Sequence, residues 1–179
     1  MNRIGIFGSA FNPPSLGHLD LIKQSVQAFD KVYLVPSFCH PLGKEMLSYP
    51  TRCHLVSEFL HDINQPNCQL LMIEHLLASK KPIYTYDLLV FLTRFFVNDE
   101  VSFIIGPDNA NPETWKKFYR YQDIEKNWNI FVGKQNIDTR STQIRHKISQ
   151  QQDFSELTTT SVYQWIQFMN LYQTPVNSD

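Results

Sequence analysis

Five short apolar runs, separated by stretches of helical periodicity, constrain this chain more than any other feature. The runs at 4–7, 31–35, 68–73, 101–105 and 129–132 are continuous rather than alternating, as strands are when both faces are covered. Between them the apolar residues recur at helical spacing. Leu19, Ile22, Val26 and Phe29 mark a helix over 18–29, and Leu55, Val56, Phe59, Leu60 and Ile63 mark one over 50–63, with Pro50 tolerated near its start. Further helices are predicted over 84–97 and 114–126, and two more, 142–150 and 160–172, finish the chain. Strands alternating with helices predict an α/β fold: a doubly wound, mostly parallel five-stranded sheet with helices on both faces.

Size and composition narrow the rest. With 179 residues the chain suits a single domain, read as 1–173 with a frayed tail over 174–179, and a domain of this size buries roughly 70% of its unfolded surface without staples. A formal net charge of −1 with no basic block argues against a nucleic-acid track or a polybasic membrane patch. No segment approaches the ~20 apolar residues of a membrane span. Cys39, Cys53 and Cys68 form no paired motif and are odd in number, which fits idle thiols in a reducing compartment. The expected location is the cytoplasm. No heptad or apolar patch legible in the sequence sets the oligomeric state.

Ligands on doubly wound sheets bind beyond the carboxyl ends of the strands, where strand order reverses. The candidate turns therefore follow Phe7, Val35 and Ile105. After the first strand, Gly8 and Ser9 are small enough for backbone to approach a phosphate, and Gly17 and His18 open the next helix, whose N-terminal amides and dipole favour an anion. A histidine there can donate to a phosphate oxygen.

The segment Gly8-Ser9-Ala10-Phe11-Asn12-Pro13-Pro14-Ser15-Leu16-Gly17-His18 resembles the (H/T)xGH signature of the nucleotidyltransferase superfamily, whose fold is Rossmann-like. Over about 3–172 the chain is similar to bacterial nicotinate (nicotinamide) mononucleotide adenylyltransferases. The resemblance implies transfer of AMP from ATP, as its magnesium complex, to a pyridine mononucleotide. Gly8, Ser9, Ala10, Phe11, Gly17 and His18 are then ATP-binding, with His18 and Ser15 catalytic. The proline-rich loop Pro36-Ser37-Phe38-Cys39-His40-Pro41-Leu42-Gly43-Lys44 resembles one that faces the phosphates, which makes Lys44 a catalytic cation.

Three later segments extend the likeness. Pro82-Ile83-Tyr84-Thr85-Tyr86-Asp87-Leu88-Leu89 resembles a PSYTxDTL stretch, so Tyr84 and Thr85 are implied to meet the mononucleotide's carboxylate or carboxamide through backbone groups. Gly106-Pro107-Asp108 resembles a GxD turn, with Asp108 accepting from a ribose and Trp115 stacking on the pyridine ring. Arg140-Ser141-Thr142-Gln143-Ile144-Arg145 resembles SSTxIR, implying that Ser141 and Thr142 present hydroxyls and amides to the phosphates and that Arg145 adds a cation. Arg3, Lys134 and Arg140 are further cations.

Ser15 stands where histidine or threonine is usual, and Asn12 where aspartate is. Two other readings follow from these departures: an enzyme like the phosphopantetheine adenylyltransferases, suggested also by Leu19-Asp20-Leu21-Ile22, and a nucleotide-binding module without catalysis. His54, Glu58 and His61 share one helix face and imitate a metal trio. That face is opposite Val56, Leu60 and Ile63, so the trio is expected in solvent, and no metal site is assigned.

Overall fold

A computed structural model describes residues 1–39, 43, 45–77 and 82–173. Lys44 and the tail 174–179 lie outside the described residues. The elements run β1 (Arg3–Ser9), α1 (Leu16–Ala28), β2 (Lys31–Pro36), α2 (Tyr49–Ile63), β3 (Cys68–Leu70), α3 (Glu74–Leu77) and α4 (Thr85–Phe95). There follow β4 (Glu100–Ile105), α5 (Pro107–Ala110), α6 (Pro112–Trp115), α7 (Tyr121–Asn127), β5 (Asn129–Val132), α8 (Ser141–Ser149) and α9 (Thr160–Phe168).

Every strand pairing is parallel, and the order is β3-β2-β1-β4-β5. β1 is central, with Gly8 opposite Val35 of β2 and Ile6 opposite Phe103 of β4. The chain steps outward from β1 to β3, returns, and steps outward again from β4 to β5, so the order reverses between β1 and β4. Side chains alternate across the sheet. Phe7, Val32, Leu34 and Ile104 enter one core with Phe11, Leu55, Ile144 and Val162, under α1, α2, α8 and α9. Ile4, Ile6, Val35, Phe103 and Ile105 enter the other, with Leu88, Leu92 and Ile124 of α4 and α7.

Three predicted elements are corrected. The third strand ends at Leu70 rather than residue 73, because the chain turns into α3 and buries Glu74, which is 4% exposed. The helix predicted over 114–126 is broken into α6 and α7, with Arg120 between them in the left-handed region at φ 57°. The last helix ends at Phe168, since Asn170 and Tyr172 also take positive φ. Within the metal-like trio His61 is exposed and His54 and Glu58 are partly so, while the His54 ring also packs on Trp165 of α9 with ring centroids 4.3 Å apart. Among the described residues no three His, Cys, Asp or Glu side chains converge on a metal-sized site.

Candidate active site

The reversal between β1 and β4 places the turns after Phe7 and Ile105 side by side, at the mouth of a cleft of about 420 Å³. Its near wall is the start of α1. Ser15 is the N-cap of that helix and is 1% exposed. Its hydroxyl lies 2.9 Å from His18 Nδ1 and donates to the Thr139 carbonyl at 3.2 Å. Gly17 is required here by close approach, for a Cβ would lie 2.1 Å from Thr139 O. The start of α1 and the segment before α8 are thus in backbone contact.

His18 is half-buried, one turn into α1. The Ser15 backbone N–H donates to Nδ1 at 3.0 Å. That bond makes Nδ1 an acceptor, so the proton of the neutral ring sits on Nε2. Nε2 is 3.2 Å from Ser9 Oγ, at the end of β1. Phe11 and Phe7 pack against the ring, with centroids at 4.9 and 5.9 Å. Burial lowers the histidine pKa to about 4, because a charged imidazolium in this position loses its hydration. At neutral pH the cleft therefore holds a neutral imidazole with a directed donor.

The far wall is the connection from β5 to α8, and α1 holds it. The buried Asp20 carboxylate accepts from the amides of Asn136 and Ile137 at 2.8 and 3.1 Å, and from the Asn136 side chain at 2.9 Å. These donors pull its pKa down although burial opposes them. Gln24 adds a two-way bond to the Lys134 backbone, 2.8 Å each way. Gly133 lets the Leu21 side chain lie close, since a Cβ there would meet Leu21 Cδ1 at 2.1 Å and require that side chain to shift.

At the start of α8, Arg140 is the N-cap residue. Its Nη2 donates to Asp108 Oδ1 at 3.1 Å, and its Nε to Asp138 Oδ1 at 3.4 Å. The Ser141 hydroxyl donates to the Pro13 carbonyl at 2.6 Å, so it fastens the loop after β1 rather than facing the cleft. Arg145 Nη1 likewise donates to Asn12 O at 2.6 Å. The Asn12 side chain in turn accepts from Leu47 N at 3.2 Å and from the Tyr172 hydroxyl at 2.9 Å. Asn12 is 5% exposed and acts as a structural tie.

Of the residues picked from the sequence, Gly8, Ser9, Ser15, Gly17, His18, Gly106, Asp108, Ser141 and Thr142 line this one cleft. Ala10, Phe11 and Arg145 support it from outside the lining. Tyr84, Thr85 and Trp115 also lie outside it. Tyr84 packs on Tyr119 with ring centroids 5.0 Å apart and planes tilted by 38°. Trp115 is 7% exposed, its Nε1 donating to Glu125 at 2.8 Å and its ring packed on Phe118. Sequence reasoning missed Asp20 and Thr139, because their partners are distant in the chain. It left Lys134 and Arg140 as secondary cations, yet both line the cleft.

A second polar group stands beneath the loop after β2. Arg52 is 1% exposed and donates to the carbonyls of Leu47, Ala10 and Ser37 at 2.9, 2.7 and 2.6 Å. One guanidinium thus joins the segments after β1 and β2 and the entry to α2. Glu74 accepts from Phe38 N at 2.7 Å. Burial pushes its pKa up to about 7, against the pull of that amide and of Arg52.

The cytidylyltransferase-like family model matches residues 6–149. A probable nicotinate-nucleotide adenylyltransferase of Lactiplantibacillus plantarum is 30% identical, over 96% of this chain and 88% of the relative. Among solved structures, a candidate nicotinate-nucleotide adenylyltransferase of Vibrio parahaemolyticus is 37% identical, covers 96% of each chain and superposes with a TM-score of 0.84. The nicotinic acid mononucleotide adenylyltransferase of Plasmodium falciparum, solved with NaAD, shares the fold with a TM-score of 0.77 over 96% of this chain and 98% of its own, at 15% identity.

Proposed function

The chain belongs to the cytidylyltransferase-like family and within it to the nicotinate-nucleotide adenylyltransferases, and on that premise we propose that it moves AMP from ATP to nicotinate mononucleotide. A phosphate oxygen of the mononucleotide attacks the α-phosphorus of ATP. The new P–O bond forms as the bond to the bridging oxygen breaks, and pyrophosphate leaves with the electron pair. The attacking phosphate is already anionic, so no covalent enzyme intermediate or strong base is needed. Catalysis rests on holding two anions in line and meeting the charge that develops.

The observation that carries this reading is the neutral imidazole of His18, its Nε2–H fixed by the Ser15 amide at Nδ1. It sits in the same cleft as the start of α8 and the turns after β1 and β4. His18 is read as the donor to a phosphate oxygen, and the first amides of α8, at Ser141 and Thr142, as its partners on the phosphates. Lys44 is kept as a triphosphate cation. Arg145 is read through its bond to Asn12 O, which holds the loop after β1. Asp108 is read onto a ribose and the amides at Tyr84 and Thr85 onto the acceptor's carboxylate. Trp115, buried against Phe118, reaches the pyridine ring only if its side chain is re-exposed when the acceptor binds. Magnesium enters bound to ATP, as part of the substrate. No described helix is long and apolar enough to cross a membrane, and the three thiols are unpaired, which supports a cytoplasmic enzyme.

The test is pyrophosphate release from magnesium-ATP with nicotinate mononucleotide, nicotinamide mononucleotide and phosphopantetheine offered separately. The expected result is release with the nicotinate acceptor fastest, and its loss in His18→Ala. Turnover of phosphopantetheine alone overturns the proposal. So does an ATP-induced rise in melting temperature with no acceptor turned over.

A further inference from the structure

The charges around the cleft do not suit a polyphosphate as they stand. Its described lining carries three carboxylates, Asp20, Asp108 and Asp138, against two cations, Lys134 and Arg140. Asp20 is occupied by the amides of the far wall. His18 contributes no positive charge near neutral pH, and Arg145 is turned to the Asn12 carbonyl. Arg140 is the guanidinium on the lining, and both of its known contacts are carboxylates, Asp108 and Asp138.

These two contacts differ in kind. Asp138 lies two residues before Arg140 and moves with it. Asp108 belongs to α5, at the end of β4, so that bond spans the cleft mouth between two separate elements. Arg140 and Asp108 are 50% and 61% exposed. An exposed pair of this sort holds only weakly, so an incoming phosphate, which a guanidinium binds with two parallel bonds, can displace the carboxylate.

We infer that Arg140 is a phosphate-binding residue held in reserve by Asp108, and that arrival of the ATP phosphates transfers its guanidinium from Asp108 to them. The exchange has a second effect, since it frees the Asp108 carboxylate for the ribose hydroxyls. Triphosphate binding and ribose binding are thereby linked through one ion pair. Nucleosides without phosphates leave the pair closed. The inference rests on the ATP-binding reading above and not on the identity of the acceptor.

Binding measured by titration calorimetry tests this without turnover. The probes are ATP, adenosine and inorganic tripolyphosphate, which has no ribose and so isolates the exchange. In Arg140→Gln, ATP and tripolyphosphate are expected to bind about tenfold or more weakly, while adenosine, which then finds Asp108 free for its ribose, binds as tightly or more tightly. In Asp108→Asn, tripolyphosphate is expected to bind severalfold more tightly, because its competitor is gone. Arg140→Gln/Asp108→Asn is expected to match Arg140→Gln alone. Arg140→Lys, which keeps the charge without the fork, is expected to fall between, and guards against a folding defect in the glutamine variant.

Equal weakening of ATP and adenosine in Arg140→Gln makes the pair a scaffold and overturns the inference. Weaker tripolyphosphate binding in Asp108→Asn overturns it too. If these binding patterns hold while no pyridine mononucleotide is turned over, the proposed reaction fails and the ion-pair exchange stands.

Discussion

Gly17→Ala puts one methyl group between the two walls of the cleft. The added Cβ would lie 2.1 Å from Thr139 O and 3.2 Å from Thr139 C. Both neighbours are backbone, so no side chain can swing aside. Restoring an ordinary contact requires the Thr139 carbonyl to retreat by about 1 Å, as in an overpacked core. The Ser15 hydroxyl, now 3.2 Å from that carbonyl, is then left at about 4 Å, beyond hydrogen-bonding reach. Overpacking costs about 1–3 kcal/mol and the lost bond about 1 kcal/mol, while alanine's better helix propensity returns at most about 1 kcal/mol. A net loss of about 1–3 kcal/mol lowers the melting temperature by roughly 2–4 °C per kcal/mol in a domain of this size. Arg140, Ser141 and Thr142 follow Thr139 directly, so a shift of about 1 Å there is expected to cut kcat/KM for ATP by up to ~100-fold. Thermal melts and steady-state kinetics with ATP varied read both effects. The control is Gly8→Ala, whose Cβ meets only Phe103 Cε2 at 3.8 Å and leaves the melting temperature unchanged. A Gly17→Ala protein within 1 °C and twofold of wild type would falsify the contact.

Three further outcomes follow from the buried polar groups. His18 has a folded pKa near 4, so the rate should show no loss attributable to its protonation between pH 8 and about 5. An inflection near the ordinary histidine value that coincides with titration of the His18 ring followed by NMR would contradict this. Its linkage to stability has the same direction: between pH 6.5 and about 4 the unfolded chain binds the extra proton, so this contribution is full above 6.5 and declines as pH falls. Glu74 has a folded pKa of about 7, above its unfolded value, so ionising it lowers stability as pH rises from about 4.5 through 7. Glu74→Gln keeps an acceptor for Phe38 N, and in melts it should exceed wild type at pH 8 and equal it by pH 4.5. A constant gap across that range refutes the assignment. For Asp20 the folded pKa is lowered, so its contribution is present above the unfolded carboxylate value and fades as pH falls through the folded one. Asp20→Asn turns a carboxylate with three loop donors into an amide with one acceptor. It should raise KM for ATP at pH 7 more than KM for the mononucleotide, and equal changes in both would reject a role confined to the far wall.

The sheet was legible because its evidence is local. Strands such as 101–105 are apolar but for Ser102, and order reversal pointed to the turns after Phe7, Val35 and Ile105, of which the first and third line the cleft. The break between α6 and α7 was not legible, because Trp115, Phe118 and Ile124 keep apolar residues coming while Arg120 turns left-handed between them. Within the site, small residues and helix starts were visible as types, but their partners were not. Thr139 meets Ser15 across 124 residues and Arg145 meets Asn12 across 133, and neither pairing leaves a periodic trace. The same distance hid the work of Ser141, whose hydroxyl goes to Pro13. Asp20 sits on the rim of an amphipathic helix, where an acidic residue signals only a wet face until its loop is seen.

The strand order bears on how the protein is made. The N-terminal strand is central, so β2 covers one of its flanks early while the other waits for residues 100–103. The core under α8 and α9 waits longer, for Ile144, Ile148, Phe154, Val162 and Ile166. A chain released before α8 keeps its strands but leaves that apolar face bare, a state prone to clumping. It also lacks the Thr139–Thr142 wall, one side of the proposed nucleotide cleft. Nucleotide can therefore raise the stability of a complete but weakened variant by binding its folded form, and is expected to do less for a chain that stops short of that wall.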